Sequence, residues 1–522
     1  MAAPDDRLTS RMTGRRNGLR SGLVVPGILA GVTSLLHVVT SSDSWGIFRD
    51  ELYYWACSNH LDFGYVDHPP FVAVMTRLAR ALLGDSLPAL RLFPALAAGG
   101  TVFLTALIAR RMDGGPFARA LAGLVAALTP VYIANFGYLS MNAYDVLLWT
   151  AVAWCAVSLI DSDDPRWWLA FGAAAGIGLQ NKISMLFLGF GIVVGLLLSS
   201  GVRPFLNRWF WLGGAIAAGI FLPHVLWQIR NDWPTPEFVR NATQDKNLPI
   251  SPGEFLFEQV MLMGPVVAVI ALAGLAFCLL PGAGRRWRPL GLAFVVVATI
   301  LILQRGKPYY LSPGYTMLFA AGSVALERIA GGRWRWLRPV ALVLVVAAGA
   351  ALAPLAKPLL PIETHVGYTR MLGVAPGTDE RKEVGRVSQF FADRIGWREL
   401  AALVAQVHAA LPEADRGRAC VYGQNYGQAG AIDYFRAEMD LPPAISGHNS
   451  YWLWGTAGCT GEVIIIIGGE REDHEESFAS VEQAAVHACG DCMPYEDDKP
   501  IFVARDLRVP IEEAWSRTKH YD

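Results

Sequence analysis

The sequence has few charged residues and no marked excess of either sign. Of its 522 residues, 17% are charged and 53% are hydrophobic, the formal net charge is −1, and the mean hydropathy is +0.33. A soluble domain usually carries about a quarter charged residues. The low charge therefore indicates a membrane protein, and the near-neutral balance argues against a nucleic-acid-binding protein, which would show a basic stripe.

Motifs of nucleotide-binding and metal-dependent hydrolytic enzymes are also lacking. The sequence contains no P-loop, no dinucleotide-binding fingerprint, no HExxH and no nucleophile elbow. A nucleotide-activated donor substrate is therefore disfavoured.

Long apolar runs are what the sequence has in abundance. Each is close to the roughly 20 residues that a helix needs to cross about 30 Å of hydrocarbon. Gln180, Asn181 and Lys182 separate two of the shorter runs, and an unpaired Lys at the bilayer centre costs about 2.5–3.5 kcal/mol. We therefore predict two short spans there, rather than one long helix, and a polytopic α-helical membrane protein with about eleven spans. The predicted spans are 23–40, 89–109, 118–136, 143–160, 167–180, 183–199, 209–228, 258–280, 289–304, 311–328 and 338–356.

The distribution of Lys and Arg predicts the orientation. The segment 1–22 is basic, and so are the loops on its side of the membrane, whereas the opposite loops are poorer in Lys and Arg. We therefore predict a plasma-membrane protein with 1–22 in the cytoplasm, a transmembrane domain over 23–360 and a long first outside loop, 41–88. A cleaved signal peptide is the alternative for the first apolar run, but HVVTSSDS lacks a small-x-small cleavage site.

The sequence pattern changes at about Glu363, where charged residues replace the long apolar runs. The run VSQFFADRIGWRELAALVAQVHAAL is typical of a helix, and ACVYG, EVIIIIGG and PIFVARD are typical of strands. Alternation of the two predicts a soluble α/β domain over 363–522. An odd number of spans places this domain outside the membrane, on the extracytoplasmic side.

Four of the seven cysteines lie in this C-terminal part. An extracytoplasmic location permits disulfides, so a Cys489–Cys492 or a Cys420–Cys459 bridge is a candidate. Zinc held by His487, Cys489 and Cys492 is the alternative, although a structural zinc site usually has four ligands.

The first outside loop begins with an unusual polar, ring-rich stretch, FRDELYYWACSNHLDFGYVDHPPF, which covers 48–71. Pro69 and Pro70 are suited to the first turn of a helix. The sequence that follows, FVAVMTRLARALLG, has apolar residues at helical spacing with Arg77 and Arg80 on another face. This pattern predicts a helix that lies in the membrane interface.

The ordered set of motifs over about 45–320 resembles the GT-C superfamily of membrane glycosyltransferases. Within it, the set is similar to the dolichyl-phosphate-mannose protein mannosyltransferase-like family, which includes the aminoarabinose-to-lipid A transferases. The matching motifs are the Asp50-Glu51 pair, DHPP at 67–70, MNAYDVLLW at 141–149, LQNKIS at 179–184 and KPYYLSP at 307–313. The C-terminal part 363–522 matches no catalytic domain of this family.

The resemblance implies transfer of a sugar from a polyprenyl phosphate to an acceptor hydroxyl, with inversion at the anomeric carbon. Asp50 and Glu51 are the predicted catalytic residues, with Asp50 as the general base, because proton removal from the acceptor is the help that a good phosphate leaving group still requires. The alternative is that both acids only solvate a helix end.

Six further residues are predicted to bind substrate. Asp145 is costly inside a span unless it faces a wet cavity, and Lys182 and Lys307 are suited to neutralise a phosphate. The alternatives are an interfacial helix cap for Asp145 and snorkelling for the two lysines. His68, Tyr309 and Tyr310 are candidate sugar contacts, and the alternatives are a turn cap and the interfacial aromatic belt.

The implied partners are a polyprenyl-phosphate-linked sugar donor, a lipid, glycan or protein acceptor, and membrane lipids, with no nucleic acid. No cofactor is certain from the sequence, and a divalent cation is a candidate. A transporter or flippase for a lipid-linked sugar is the chief alternative, and a non-catalytic envelope scaffold is a second. The acids are concentrated at one membrane face and no internal repeat is evident, which favours the enzyme over a transporter.

Overall fold

The structure, a computed structural model, describes residues 6–41 and 44–522, with side chains from residue 23 onward, so the side chains of the predicted basic segment 1–22 lie outside the described part. The part before the C-terminal tail is helical. Its α-helices are α1 (Asp6–Val39), α2 (Arg49–Asn59), α3 (Phe71–Leu83), α4 (Leu87–Arg111), α5 (Pro116–Leu128), α6 (Pro130–Asn135), α7 (Met141–Ser162), α8 (Trp167–Asn181), α9 (Met185–Ser200), α10 (Arg208–Arg230), α11 (Pro234–Asn241), α12 (Pro252–Met263), α13 (Pro265–Leu279), α14 (Arg288–Leu303), α15 (Tyr315–Ile329), α16 (Leu337–Ala356) and α17 (Ile362–Met371).

Several of these helices are membrane spans by length and composition. In the described chain, five helices are long and apolar enough to cross a membrane, and the pair α12 and α13 would make a sixth if counted as one bent span. Shorter apolar helices cover Leu23–Val39, Pro116–Leu128 and Met185–Ser200. Every predicted apolar run coincides with one or two helices, which confirms a mostly helical membrane protein. The number of about eleven spans stays a prediction.

Two of the predicted runs are broken, and proline lies at each break. α5 ends before Thr129, and Pro130 begins α6, while α12 and α13 meet at Gly264 and Pro265 with a bend of 112°. Proline has no N–H to continue the hydrogen-bond ladder, and Gly264 has a φ of 78°, which other residues rarely adopt. Irregular backbone at membrane depth is tolerated where it lines a cavity.

The first outside loop forms two helices, α2 and α3. α3 begins directly after Pro70, as its sequence pattern predicts. It turns Val72, Ala73, Thr76 and Ala79 inward and leaves Val74, Leu78 and Leu82 exposed. An exposed apolar face on a helix outside the spans is typical of contact with the membrane interface. The loop is therefore a folded part of the molecule.

The C-terminal tail is an α/β unit built on one mixed five-stranded sheet of order β2-β1-β3-β5-β4. β1 pairs in parallel with β2 and β3, and β5 pairs antiparallel with β3 and β4. Its elements are α18 (Gln389–Ala392), α19 (Trp397–Ala410), α20 (Glu413–Arg416), β1 (Ala419–Gly423), α21 (Tyr426–Met439), β2 (Ala444–Ile445), α22 (Ser450–Leu453), β3 (Val463–Ile467), α23 (Arg471–Ser477), β4 (Phe478–His487), β5 (Lys499–Leu507) and α24 (Ile511–Arg517).

The three predicted strands of the tail correspond to β1, β3 and β5, which confirms a sheet-containing C-terminal region. The predicted long helix is divided into α18 and α19, because Gly396 adopts a φ of 93° between them. Both candidate disulfides, Cys420–Cys459 and Cys489–Cys492, are present.

The tail packs directly on the membrane part. α21 lies against α2. Gly430 packs on Leu52 and Gly427 packs on the side chain of Arg49, both so closely that a Cβ at either glycine would crowd the α2 residue. Buried residues of the tail, such as Val404 and Ala431, belong to the same hydrophobic core as the membrane helices. This contact brings tail side chains to the start of α2.

Candidate active site

A cavity of about 600 Å³ lies where the membrane helices, the start of α2 and the tail meet, and we call it the Asp50 cavity. The helices α6, α12 and α16 contribute mostly apolar lining: Pro130, Val131, Ala134, Met261, Leu262, Leu352, Leu355 and Ala356. α2, the segment before α15 and the tail contribute charged lining: Arg49, Asp50, Lys307, Asp379, Glu380 and Asp393. This mixed lining suits a ligand that combines a hydrocarbon chain with a charged group.

Asp50 lies in the first turn of α2 and lines the cavity. Its Oδ1 accepts a hydrogen bond of 2.9 Å from the hydroxyl of Tyr426 at the start of α21. Burial raises the pKa of Asp50, and the neighbouring Arg49 and the Tyr426 hydroxyl oppose that rise. A carboxylate with a raised pKa is a stronger base than an ordinary one. Asp50 therefore has the position and the environment of a general base.

Glu51 lies next to Asp50 but has a different environment from the one predicted for a catalytic residue. It does not line the cavity and is 1% exposed. Both of its oxygens accept from Arg91 of α4, at 2.7 and 2.6 Å, and they also accept from the backbone N–H groups of Phe48 and Leu139. The nearby cation Arg91 holds the pKa of Glu51 below its usual range in spite of burial. The geometry makes Glu51 an anchor for the start of α2.

Lys307 lines the cavity as predicted and faces acids of the tail. Its Nζ lies 3.7 Å from Glu380 Oε1, and the Nζ of Lys246 lies 3.9 Å from the same oxygen. Burial opposes ionisation of Glu380, but Lys246, Arg49 and Lys307 lower its pKa to about 2. Beside it, burial raises the pKa of Asp379. Lys307 thus brings a positive charge to the cavity, and Glu380 neutralises part of the combined charge of Lys307 and Lys246.

Arg49 is a second cation of the cavity. Its Nη2 lies 3.9 Å from Asp393 Oδ2, and its guanidinium lies over the ring of Tyr426, 5.3 Å from the centroid. Within the described chain, its buried Nε has no hydrogen-bond partner. Burial raises the pKa of Asp393 to about 6. Arg49 also lines the cavity, so its guanidinium can interact with an anionic ligand there.

Asp145 and Lys182 lie beside the cavity wall without lining the cavity. Both oxygens of Asp145 accept from the hydroxyl of Ser184 at 3.0 Å. Lys182 Nζ donates to Asn142 Oδ1 at 2.8 Å and lies 4.5 Å from the ring centroid of Tyr310. Of this group, Asn142 and also Tyr309 line the cavity. Lys182 therefore does not line the cavity itself, but it contacts Asn142, which does, and it lies close to the tyrosine pair.

His68 is placed differently from the prediction of a sugar contact. Its side chain is completely buried and lines no part of the cavity. The ring stacks on Tyr65 at 4.7 Å, and its Nε2 lies 3.8 Å from Cys57 Sγ. Packing within the first loop removes His68 from the solvent, so its role is structural.

The tail residues of the cavity were not identified from the sequence. Asp379, Glu380 and Asp393 lie more than 300 positions after Asp50. The charged segment that contains them carries no recognisable motif. Tyr426 lies in a helix of the tail and carries no recognisable motif. The one available signal was a high density of charge directly after the last predicted span.

The cavity also contains the carboxylates that a divalent cation would need, but two of them already face cations. Asp393 and Glu380 are paired with cations. In the part of the chain that the structure describes, side chains grouped closely enough to ligate a metal are His448, His520 and Asp522, and Cys489, Cys492 and Asp497. Both groups lie outside the cavity, and the sulfurs of the second are joined in a disulfide. This bond also removes the predicted zinc alternative with His487.

Known proteins resemble the chain in sequence and in fold. The family model described as dolichyl-phosphate-mannose-protein mannosyltransferase matches residues 67–227. The chain is 25% identical over 245 residues to the lipid A galacturonosyltransferase RgtD of Rhizobium johnstonii, covering 46% of this chain and 51% of that protein. It is 28% identical over 193 residues to an undecaprenyl phosphate-α-4-amino-4-deoxy-L-arabinose arabinosyl transferase of Pseudomonas fluorescens, covering 36% and 33%. The chain thus spans about half or less of these curated relatives.

The fold is shared over nearly the whole chain. ArnT from Cupriavidus metallidurans in the apo state superimposes with a TM-score of 0.59 at 16% identity, covering 91% of this chain and 97% of ArnT. The same protein bound to undecaprenyl phosphate gives a TM-score of 0.57. The predicted resemblance is thereby confirmed: the chain has the GT-C fold of ArnT, and its relatives are glycosyltransferases.

Proposed function

We propose that the protein is a membrane glycosyltransferase that moves a sugar from a polyprenyl phosphate to an acceptor hydroxyl at the outer face of the plasma membrane. The observation that carries the proposal is the Asp50 cavity, in which apolar helix surfaces adjoin a buried carboxylate and two cations. The curated relatives, named as sugar transferases, support the same reaction class.

The donor's hydrocarbon chain lies along the apolar surfaces of α6, α12 and α16 in this proposal, since that burial is favourable. Its phosphate faces Lys307 and the guanidinium of Arg49, which neutralise the charge that grows on the leaving group. Lys182 adds positive charge from behind Tyr310. Asp145 accepts a hydrogen bond from Ser184, two residues after Lys182, and so positions the turn that carries that lysine.

Asp50 accepts the proton of the acceptor hydroxyl as the acceptor oxygen forms its bond to the anomeric carbon. The bond from that carbon to the phosphate oxygen breaks, and polyprenyl phosphate leaves with the electron pair. Attack opposite the leaving group inverts the anomeric centre. The cavity's own cations face the phosphate in this proposal.

The substitution Asp50→Asn tests this proposal. Asparagine keeps the shape of the side chain and can still accept from Tyr426, but it is not a base, so we expect transfer to fall by at least about 10²-fold. The measurement is mass spectrometry of envelope glycolipids and glycoproteins from cells that lack the gene and carry either variant. Asp85→Asn, an exposed acid of the same loop, is the matched control and retains transfer.

Wild-type amounts of product from Asp50→Asn would refute the assignment of the base and favour the scaffold. Translocation of a lipid-linked sugar in proteoliposomes, without formation of any glycosylated product, would instead identify a flippase.

A further inference from the structure

A second cavity, of about 280 Å³, lies between the first outside loop, the end of α10 and the segment around α22. Its lining includes His60, Asp62, Tyr65, Trp227, Asn231 and Trp454. None of its lining residues lines the Asp50 cavity. The reaction proposed above leaves this cavity without a role.

Aromatic rings form much of its wall. The rings of His60 and Trp454 stack at 4.3 Å, and Trp227 and Tyr65 complete the set. Trp227 is fixed in place, because its Nε1 donates to Asp62 Oδ2 at 2.8 Å and the loop at Gly64 packs closely against its ring. Rigid rings of this kind offer flat apolar surfaces with defined orientation.

Polar groups lie beside these rings. Asp62 brings a carboxylate, Asn231 an amide and Ser450 a hydroxyl to the lining. A sugar ring has C–H groups on its faces, which pack on aromatic rings, and hydroxyls at its rim, which hydrogen-bond to carboxylates and amides. The volume and the mixture of groups therefore match a monosaccharide unit.

The charge of the lining restricts the type of sugar. Among the described lining residues, Asp62 carries a full negative charge and none is Lys or Arg. An acidic sugar would be repelled by Asp62, which is exposed, so water and salt screen part of this repulsion. A neutral sugar or an amino sugar is favoured.

The surroundings of the cavity are apolar and exposed. Leu61 and Phe63 of the loop are 50% and 59% exposed, and Leu226 and Ile229, which flank Trp227 on α10, are 45% and 52% exposed. α10 is one of the helices long and apolar enough to span the membrane. The cavity therefore lies at the membrane surface, where a sugar attached to a lipid can enter it.

We propose that the second cavity binds the neutral or amino sugar headgroup of a membrane glycolipid. Its occupant does not react there, since a wall separates it from Asp50. Ser450 is 2.7 Å from the hydroxyl of Tyr53, Tyr53 stacks on Tyr426 at 4.6 Å, and Tyr426 donates to Asp50. The binding is independent of whether the chain transfers sugar.

The test is native mass spectrometry of the full-length protein titrated with monoglucosyl-diacylglycerol, glucuronosyl-diacylglycerol or plain diacylglycerol. We expect the glucosyl lipid to bind about tenfold more tightly than the other two. Trp454→Ala and Asp62→Asn should each weaken its binding at least about fivefold, because each removes one of the proposed contacts. Trp454→Phe, which keeps a ring in place, should retain most of it.

Trp334→Ala is the matched control, since Trp334 is an exposed tryptophan that does not line the second cavity. Thermal unfolding of each variant checks that the protein is folded. Equal binding of glucosyl and plain diacylglycerol, or unchanged glucosyl-lipid binding by folded Trp454→Ala, would overturn the proposal. Because no turnover is measured, these outcomes stand apart from the fate of the transferase assignment.

Discussion

Asp50 and Glu51 are adjacent carboxylates in α2 whose side chains have opposite surroundings. Asp50 faces a cavity and has one hydrogen bond from a neutral hydroxyl. Glu51 faces the protein interior, where Arg91 and two backbone N–H groups occupy its oxygens. Successive helix positions point about 100° apart, so these two neighbours face different surroundings, one a cavity and the other the protein interior.

The hydroxyl of Tyr426 affects the pKa of Asp50 directly. It donates to the carboxylate and so lowers the pKa of Asp50, against the rise that burial causes. In Tyr426→Phe the pKa of Asp50 should rise further. A general base works only when it is ionised, so activity is lost as the pH falls through this pKa, and the acid limb of the pH profile should move to higher pH.

The measurement is the pH dependence of kcat/KM for sugar transfer. On the acid limb of the profile we expect a loss of at least about tenfold, since a hydrogen bond to a charged group is worth about 1.5–3 kcal/mol. At high pH the loss should be smaller. An identical fractional loss at every pH would show that Tyr426 acts only through packing.

α2 is the element that joins the membrane helices to the site. Its first turn is tied to α4 by the Glu51–Arg91 ion pair and to the tail by Arg49, whose backbone N–H donates to the Asp393 carbonyl. The side chain of Glu51 is completely buried, and that of Arg91 is 4% exposed. The position of Asp50 therefore depends on a charge pair that is closed to water.

Glu51→Gln should destabilise the protein because it removes the buried carboxylate with which the guanidinium of Arg91 forms an ion pair. Loss of one partner of a buried pair costs about 3–5 kcal/mol. The measurement is thermal unfolding of the purified protein in detergent. Asp85→Asn breaks a pair with Arg80 in which Asp85 is 55% exposed, so its effect should stay below about 1 kcal/mol. Similar shifts in the two variants would contradict the anchoring role.

At the scale of the whole molecule, the cavity that we propose as the active site is lined by both parts of the chain. α2 and the membrane helices supply Asp50 and Lys307, and the tail supplies Asp379, Glu380 and Asp393. The tail can reach this cavity only if it lies on the same side of the membrane as the first loop. The division into separate domains at about 360 stays a prediction, since one hydrophobic core runs through both parts.

The orientation of the molecule is tested with fusions of a reporter phosphatase that is active only outside the cytoplasm. A fusion after residue 370 should be active, because the tail is predicted to be outside. A fusion after Arg111, beside the basic end of α4, should be inactive. Activity in the second fusion and none in the first would reverse the topology.

Much of the helical part could be predicted from the sequence. Apolar runs of about 20 residues specify membrane helices locally, because lipid leaves a chain segment few alternatives to satisfying its own backbone. The breaks at Pro130 and Pro265 and the helix after Pro70 also follow from local chemistry. The prediction of Asp50 and Lys307 as neighbours came from motif order, and the cavity contains both.

The sequence by itself determined where the helices form, which stretches are apolar, and that the tail contains a sheet. Only the tertiary structure decided that Glu51 and His68 are buried away from the cavity, and that Asp379, Glu380, Asp393 and Tyr426 surround Asp50. The physical reason is the distance along the chain over which each property is determined. Helix and strand formation depend on neighbours within a few positions, whereas the solvation and charge of a side chain depend on residues hundreds of positions away that pack against it.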